Sequence, residues 1–515
     1  MNSRLVLVVA FTMLTVPLVG CIGQQTDEIG SQSAEDPTQE VDTPGNPAQA
    51  YVADGDSATE IDAEDVLAEG VPAPSGIDRH MDLDEENVFE PTIGVTSEGN
   101  IFVSNLGGSA GTDYSSLLRS TDDGETWEDV TGSVGPVSSP PQSNDPYVYV
   151  DEETDRIYNL DMQGLQGNYI RWSDDEGETW TPRPQAGETP VLDHPTLFAG
   201  DPTTLETTAY ENVVYLCVNR VADSACTTSL DGGVTWRPFT TVYPGADQGV
   251  ASEAEGFCGG LHAHGTTGPN GTAYLPKGHC GLPTVAVSTD DGATWQLHEI
   301  STEVEAGDHE VAIATDDEGT VYAFWYNDDN EGYLAHSTDK GQTWSDPVNV
   351  DPPGTSLTQF PTIAATGDGS VALSYVATTD DIDSFEDADE ETTWNAYITT
   401  VTNATSEEPA FLTTTANDPE DPIARGNCNS GNRCFGDEGG SLGDFIDVVI
   451  DDDGRPWAAL VDTCTEDCVD DPSAGRDVGV GFVGTVNQGP SLEDPTQALD
   501  PLVTPDDVPN ATGDD

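Results

Sequence analysis

Seven segments of the chain share one pattern: a polar residue that is often followed by Pro, a β-rich run, a turn with Asp or Gly, and a second β-rich run. They start at Glu90, Asp145, His194, His262, His309, Phe360 and Asp444. β-Branched and aromatic residues dominate these runs, and each segment has the length of two antiparallel strands joined by a tight turn. The pattern therefore predicts an all-β chain of seven repeated units.

A second motif, S-x-D-x-G-x-x-W, recurs between these units. Its five copies run from Ser120 to Trp127, Ser173 to Trp180, Ser229 to Trp236, Ser288 to Trp295 and Ser337 to Trp344, with starts 53, 56, 59 and 49 residues apart. In such an octet the Asp carboxylate accepts backbone N–H groups across a tight turn, the Gly supplies a positive φ, and the Trp packs back on the sheet. A period near fifty predicts one sheet per repeat.

The octet resembles the Asp-box, or BNR, repeat of the sialidase-like β-propellers, over roughly residues 85 to 485. The resemblance implies four-stranded blades in which each octet lies between the third and fourth strands, on the face away from the active site. It also implies a structural role, not a catalytic one, for Asp122, Asp175, Asp231, Asp290 and Asp339. The seven units predict a closed β-propeller of seven blades. A six-bladed ring with one inserted hairpin is the alternative, because sialidases proper have six blades.

The two ends of the chain predict export and a tether. Residues 1–20 hold one Arg and an apolar run too short to span a membrane, which is typical of a signal peptide. Leu18 to Cys21 resembles a lipobox, so Cys21 is expected to carry the lipid, with ordinary secretion as the alternative. Residues 21–78 are predicted to be a disordered acidic linker, 79–487 the propeller and 488–515 a disordered tail.

Charge restricts the partners. The chain has 14 basic and 96 acidic residues, a formal charge of −82 that is spread along its length. Because concentrated salt is needed to screen such self-repulsion, the composition indicates a halophilic source. It also argues against nucleic acid and anionic lipid as partners. The expected protein is a monomer on the outer face of the cytoplasmic membrane. It would touch the membrane through its lipid anchor only and bind an extracellular glycan or surface protein.

Eight cysteines remain besides Cys21, and they lie as near neighbours in the sequence. The four pairs are Cys217 with Cys226, Cys258 with Cys280, Cys428 with Cys434, and Cys464 with Cys468. An even number of cysteines in an exported chain indicates disulfides, although eight cysteines allow 105 connectivities. A zinc site is disfavoured, since no C-x2-C pair is present.

In a propeller, the residues that precede the inner strands converge on one mouth of the central channel. The candidate catalytic carboxylates at this mouth are Glu90, Asp145, Asp193, Glu310 and Asp444. Loops between blades contribute the candidate ligand-binding residues Arg79, Lys277, His279, Arg425 and Arg433. No cofactor is required, but four imidazoles are candidate ligands of a divalent transition metal: His194, His262, His264 and His309. Hydrogen bonding at the mouth is the alternative role for these histidines.

Two functions follow from this mouth. Exo-sialidases, as the resemblance implies, bind the substrate carboxylate with three Arg, the first from an Arg-Ile-Pro motif. Phe89-Glu90-Pro91 stands at that place, so no member of the triad can be assigned. A glycosidase for neutral sugars needs only two carboxylates, about 5 Å or about 6.5–9.5 Å apart. Ligand binding is therefore the expected function, and glycoside hydrolysis the alternative.

Overall fold

Strands make up almost all of the regular structure. The computed structural model describes residues 45–55, 57–81, 88, 90–107, 114–131, 145–163, 167–181, 192–204, 208–220, 223–244, 261–307, 311–385, 387–389, 391–426, 443–465, 467–470 and 479–502. Within these ranges, helix is confined to a 3-10 turn at Ala63–Asp65 and a short α-helix at Asp467–Asp470. The all-β prediction is confirmed.

The described strands form seven antiparallel sheets, numbered here in chain order of their inner strands. Sheet 1 contains Thr92–Val95, Ile101–Gly107, Tyr114–Ser120 and Glu128–Asp129. Sheet 2 contains Tyr147–Asp151, Arg156–Gln163 and Gly167–Ser173. Sheet 3 contains Leu192–Gly200, Val213–Arg220, Asp223–Ser229 and Thr240–Pro244. Sheet 4 contains Thr266–Thr267, Ala273–His279, Leu282–Ser288 and Gln296–Glu299. Sheet 5 contains Val311–Thr315, Val321–Tyr326, Gly332–Ser337 and Val348–Asn349.

The last two sheets include strands from the beginning of the chain. Sheet 6 contains Ser356–Thr366, Ser370–Thr378, Thr393–Val401, Ala410–Thr415, Gln49–Asp54 and Ser57–Glu60, with Ala424–Arg425 paired to its third strand. Sheet 7 contains Asp447–Ile450, Pro456–Asp462, Val480–Gln488, Ser75–His80 and Asn46–Pro47. The strand Ser75–His80 pairs with Val480–Gln488, so a strand from the start of the described chain completes the last sheet.

The seven sheets form a closed ring. Each inner strand contacts the inner strand of the next sheet, and the inner strand of sheet 7 contacts that of sheet 1. Apolar residues of neighbouring sheets pack between them, as Trp457 of sheet 7 does with Ile93 and Leu118 of sheet 1. The arrangement is a β-propeller, and the described strands give it seven blades, as the seven sequence units predict.

The five octets form the turns that follow the third strands of sheets 1 to 5. In the first, Asp122 accepts the backbone N–H of Thr126 at 2.9 Å and its hydroxyl at 2.6 Å, and Ser120 accepts the N–H of Gly124 at 2.9 Å. The same Asp bonds recur in the turns of Asp175, Asp231, Asp290 and Asp339. Gly124 has a φ of +82°, and a Cβ there would meet Arg79 of sheet 7 at 3.1 Å. The octet thus seats sheet 1 closely against the preceding sheet.

The predicted extent of the propeller was too short at both ends. Residues 45–78, assigned to a disordered linker, supply strands to sheets 6 and 7. Tyr51 is fully buried and its hydroxyl donates to Val350 O at 2.5 Å. At the other end, Leu492 and Leu499 are buried. Polar composition suggested disorder, but a short strand needs few apolar side chains when an existing sheet edge supplies its backbone partners. Residues 1–44, Cys21 among them, lie outside the described part.

Disulfides are present in the described part of the chain. Cys217 pairs with Cys226 across two strands of sheet 3, and Cys464 pairs with Cys468. Cys280 is also disulfide-bonded, whereas Cys258, Cys428 and Cys434 lie outside the described residues. Disulfides of this kind indicate an oxidising compartment outside the cytoplasm. A search of the described helices finds none with the length and apolar character needed to span a membrane.

Candidate ligand site at the channel mouth

The central channel encloses about 440 Å³ and is lined by residues from all seven inner strands. Tyr147, His264 and Asp447 line the end where the inner strands of their sheets begin or are about to begin. Residues that follow the inner strands, including Glu152, Asp317 and Asp452, line the opposite end. The first of these ends is called the channel mouth below, because the predicted carboxylates lie there.

Four of the five predicted carboxylates interact at the mouth. Asp444 donates its backbone N–H to Glu90 Oε1 at 3.0 Å, and His194 donates its backbone N–H to Asp145 Oδ2 at 2.8 Å. The negative charges of Asp145, Asp444 and Asp193 act on Glu90 and raise its pKa, after the larger effect of burial. The structure therefore brings together side chains from sheets 7, 1, 2 and 3 that are up to 354 residues apart in the sequence. Glu310 lies outside the described residues.

Burial changes the protonation of these carboxyl groups. Glu90 is 7 % exposed, and burial, followed by the charges of Asp145 and Asp444, raises its pKa well above the usual range. Burial also raises the pKa of Asp145 to about 6, against the opposing effect of His194. The pKa of Asp193 is raised by desolvation, although its side chain reaches solvent. Glu90 therefore keeps its proton to a higher pH than an exposed Glu does, beside Asp145 with its pKa of about 6.

The backbone is shaped to hold Glu90 in this place. Glu90 has a φ of +52°, and His194 and Phe360, which also precede a Pro, have φ values of +49° and +52°. A left-handed conformation costs a non-Gly residue on the order of 1–3 kcal/mol and is concentrated at functional sites. Gly443 has no side chain to obstruct the carboxylate, since a Cβ there would lie 2.4 Å from Glu90 Cγ. The same left-handed backbone conformation before a Pro thus recurs at or near the start of the inner strands of sheets 1, 3 and 6.

Three predicted histidines lie beside the carboxylates. The ring of His194 lies 5.8 Å from that of His262 and 6.4 Å from that of His264, measured between centroids. Phe445 packs edge-on against His194 at 4.8 Å and against His264 at 5.1 Å. Among the described residues, no three His, Cys, Asp or Glu side chains are arranged to hold one metal ion. His309, the fourth histidine of the predicted metal set, lies outside them, so the metal prediction stays untested.

Hydrogen bonds fix the tautomers of two of these histidines. His262 Nδ1 lies 3.0 Å from the carbonyl oxygen of Ala263, and His264 Nδ1 lies 3.2 Å from Asp447 Oδ1. Because both oxygens can only accept, each Nδ1 carries a proton. Neither Nε2 has a hydrogen-bond partner in the described structure. Burial lowers the pKa of His262 well below its usual value, so its neutral ring offers an acceptor at Nε2.

Asp447 fixes the position of His264 and joins two sheets. Its Oδ2 accepts the backbone N–H of Ile93 in sheet 1 at 3.1 Å, and its Oδ1 accepts that of Val448 at 3.0 Å. Asp447 was not among the predicted site residues, and neither were the aromatic residues Phe445 and Tyr147. The two aromatic residues have a signal in the sequence, because each comes one or two places after a predicted mouth carboxylate.

The predicted basic residues do not gather at this mouth. Arg79 lies in Ser75–His80, on the outer part of sheet 7 beside the first octet. Arg425 donates from Nε to Cys468 O at 3.0 Å and from a terminal guanidinium nitrogen to Val469 O at 2.8 Å, so it holds the short helix. Both were expected in ligand-binding loops. Instead, Arg79 lies in a paired strand, and Arg425 donates its hydrogen bonds to backbone carbonyl groups. Arg433 lies outside the described residues.

Lys277 and His279 lie between sheets 3 and 4. Lys277 is 4 % exposed, its Nζ lies 3.3 Å from Ser224 Oγ, and burial lowers its pKa to about 8. The same ammonium lies 5.6 Å from the ring centroid of Tyr243, which also neighbours His279 at 5.3 Å. Lys277 pairs with His262 across a β-bridge, so it lies near the histidines but is buried beside the mouth instead of facing it.

Comparison with known proteins finds similarity in solved structures alone. No protein-family model and no curated protein matches the chain. A structure of unknown function from Dyadobacter fermentans is 14 % identical, with a TM-score of 0.37, over 81 % of this chain and 100 % of that one. The NanB sialidase of Streptococcus pneumoniae, in the form of a point mutant, is 13 % identical, with a TM-score of 0.38, over 83 % and 72 %. An α-L-arabinanase of Penicillium chrysogenum is 13 % identical, with a TM-score of 0.39, over 59 % and 93 %. Likeness at this level carries no argument about function.

Proposed function

We propose that this propeller binds an extracellular glycan at the channel mouth formed around Glu90, Asp145, Asp193 and Asp444. The observation that supports the proposal is the meeting of these side chains from four sheets, with buried aromatic residues beside them. Polar groups that converge on a concave site bind ligands by orienting their hydrogen-bonding groups. Sugar hydroxyls are suitable partners, because each hydroxyl can donate to a carboxylate oxygen.

A second function, glycoside hydrolysis, is favoured by the protonation of the carboxyl groups. A glycosidase needs one carboxylic acid that keeps its proton and one carboxylate that has lost it. Burial and neighbouring charges raise the pKa of Glu90 well above its usual range, while Asp145, with a pKa of about 6, is ionised for the most part at neutral pH. In this hypothesis Glu90 is the general acid, and Asp145, Asp193 or Asp444 is the base or nucleophile.

An anionic sugar is a poor candidate for either function. Among the described residues, neither Arg79 nor Arg425 reaches the mouth, so neither supplies a guanidinium clamp for a substrate carboxylate. The whole chain is also strongly acidic, with a formal charge of −82. We therefore place neutral or basic sugars ahead of sialosides.

We further propose that the protein works at the surface of a halophilic cell. Disulfides in the described structure support a place outside the cytoplasm. A lipid on Cys21 would anchor the chain at the outer face of the cytoplasmic membrane, with the octets belonging to the Asp-box class. The monomeric state and the exclusion of nucleic acid belong to the same proposal.

Hydrolysis of a panel of chromogenic glycosides, sialosides included, by the purified full chain in molar salt tests both functions. If the protein is an enzyme, Glu90→Gln lowers turnover about 10²–10⁴-fold, which is the usual contribution of general acid catalysis. Glu407→Gln is the matched control, because Glu407 is exposed and far along the chain from the mouth residues. Circular dichroism confirms that each variant is folded.

Binding is measured in parallel on an array of neutral, basic and acidic glycans. Binding without turnover, reduced by Glu90→Gln and by Asp193→Asn, supports the binding function alone. If the folded protein neither binds nor hydrolyses any glycan, the proposal is wrong. Turnover that survives in both mouth variants would place the active site elsewhere.

A further inference from the structure

The described side chains of the mouth are mostly hydrogen-bond acceptors. Asp145 and Asp193 are carboxyl groups that form no ion pair with a Lys or Arg of the described chain. The Nε2 atom of the neutral His262 ring adds an acceptor without a partner among the described residues. The His262 side chain is fully buried.

An unpartnered acceptor of this kind costs free energy. A buried polar atom without a hydrogen bond costs about 1–3 kcal/mol, so such atoms are rare unless a ligand satisfies them. His262 lies beside His194, whose backbone N–H binds Asp145, so its imidazole belongs to the same cluster as the carboxylates. The orphaned nitrogen and the carboxyl groups are independent features, and both require a hydrogen-bond donor.

Two basic side chains near the mouth, those of His194 and Lys277, do not meet this need. His194 lowers the pKa of Asp145, but burial outweighs it and the net pKa still rises. Lys277 is directed to Ser224 and the ring of Tyr243, and the carboxylate whose charge acts on its pKa is Asp223, outside the cluster. The described structure thus contains negative charge and acceptors at the mouth without a matching cation.

From this imbalance we propose that the channel mouth selects an ammonium-bearing sugar, such as an unacetylated hexosamine, over neutral sugars of the same shape. An ammonium group has three donors and no acceptor, which complements carboxylates and imidazole lone pairs. Charge-assisted hydrogen bonds are also about twice as strong as neutral ones. A neutral hydroxyl or acetamide brings acceptors of its own, which would find few donors in this mouth. The inference rests on the proposed glycan binding and names the sugar class.

Binding of an ammonium group should release protons. Burial raises the pKa of the Glu90 carboxyl well above its usual range in the free protein, and an adjacent positive charge favours the ionised form. Asp145 behaves in the same way near its pKa of about 6. Proton release distinguishes a cation seated among these carboxyl groups from one that adheres to the acidic surface, where the carboxylates are already ionised.

The test is titration calorimetry of the full chain with glucosamine tetramer and with N-acetylglucosamine tetramer, in 1 M NaCl. High salt reduces the Debye length to about 3 Å, which suppresses general attraction to the negative surface. We expect the glucosamine tetramer to bind at least ten-fold more tightly at pH 6.5 and to release protons, as buffers of different ionisation enthalpy reveal. Lowering the pH to 5 should weaken its binding, because Asp145 then carries a proton that opposes the cation.

Variants connect the binding to the mouth. Asp193→Asn and Glu90→Gln should each weaken the glucosamine tetramer about ten-fold or more, while Glu407→Gln should change its affinity less than two-fold. Asp193 reaches solvent, so its variant is the safer one for folding. If the glucosamine tetramer binds equally in all variants, the attraction is that of the whole acidic surface, and the inference is wrong.

Failure of the inference and failure of the proposed function look different. If the acetylated tetramer binds as well as the free amine and the mouth variants weaken both, glycan binding holds but selection for ammonium is wrong. If neither tetramer binds and the glycan array is also empty, both proposals are wrong. If spermidine binds as tightly as the glucosamine tetramer with the same response to Asp193→Asn, the mouth recognises an amine without its sugar, which contradicts the sugar class.

Discussion

Asp145 is placed where its ionisation destabilises the folded protein. Burial raises its pKa to about 6, whereas an Asp in an unfolded chain titrates near 3.9. The native state therefore binds the proton more tightly than the unfolded state. Stability from this group is fully present below about pH 4 and is lost as the pH rises through about 6. Because ionised Asp145 lowers the stability of the fold at neutral pH, its position fits a role in a ligand site better than a structural role.

Replacing Asp145 with Asn should therefore stabilise the protein at neutral pH. The amide oxygen can still accept the N–H of His194, and no charge has to be buried. We expect the free energy of unfolding to rise by about 1–2 kcal/mol at pH 7 and to stay nearly unchanged at pH 4. Urea unfolding at both pH values measures this difference. A loss of stability at pH 7 would show that the carboxylate supports the fold.

How far the site was predictable depends on the kind of residue. Propeller geometry places residues that precede inner strands at one mouth, so the approach of Glu90, Asp145, Asp193 and Asp444 followed from the repeats alone. The positions of Arg79 and Lys277 did not, because they depend on side-chain packing between sheets. A repeat pattern specifies where a residue lies along a blade, but it does not specify which neighbour its side chain meets.

At the scale of the element, the octet turn is held by a carboxylate that must be ionised to accept its hydrogen bonds. The hydroxyl of Thr179 and then its backbone N–H lower the pKa of Asp175. A lowered pKa contributes stability that is present above the unfolded value and is lost as the pH falls through the folded one. Acid below about pH 4 should therefore loosen these turns.

Asp175→Ala should lower the free energy of unfolding by about 1–2 kcal/mol, because three hydrogen bonds to a charged acceptor, from Ser173 and Thr179, are removed from an exposed turn. Glu125→Ala is the control, since Glu125 is an exposed acid of an equivalent octet whose carboxyl makes no hydrogen bond among the described residues. Thermal unfolding at pH 7 measures both. Equal effects of the two variants would mean that the Asp of the octet carries no special role.

The elements also show where composition misled the sequence analysis. The octets and strand pairs carry strong local signals, and they were located correctly. Residues 49–54 and 57–60 carry a weak one, with Tyr51 the single large apolar residue in the first. Their strands exist because sheet 6 offers an open edge to Gln49–Asp54. The strand Gln49–Asp54 could not be predicted from its own residues, because its stability comes from pairing with the distant strand Ala410–Thr415.

At the scale of the whole molecule, acidic groups also meet at the far end of the channel. Desolvation inside the channel and the charges of Asp151 and Asp317 raise the pKa of Glu152 to about 7, with Asp452 and Glu493 adding to the effect, although the Glu152 side chain is exposed at the channel end. The repulsion is therefore not confined to the outer surface, where solvent screens it well. Together with a formal charge of −82, it makes the folded ring dependent on dissolved counterions.

Raising NaCl from 0.1 to 2 M should increase the midpoint of thermal unfolding by roughly 10 °C or more, since the Debye length falls from about 10 Å to below about 3 Å. Differential scanning calorimetry over this range checks the prediction. Sucrose at equal osmolality is the control, because it favours compact states without screening charge. An equal rise in sucrose would contradict an electrostatic origin.

The strand Ser75–His80 has a consequence for how the protein comes to be folded. Its partner, Val480–Gln488, lies about four hundred residues later, as the pairing of His80 with Phe482 shows. During synthesis or export, the early strand must wait until nearly the whole chain has emerged before it can pair. Contacts between such distant residues make folding slow. The ring therefore closes last, and a chain cut short near its end would be left with an open seventh sheet, a target for proteases and for mispairing with a second copy.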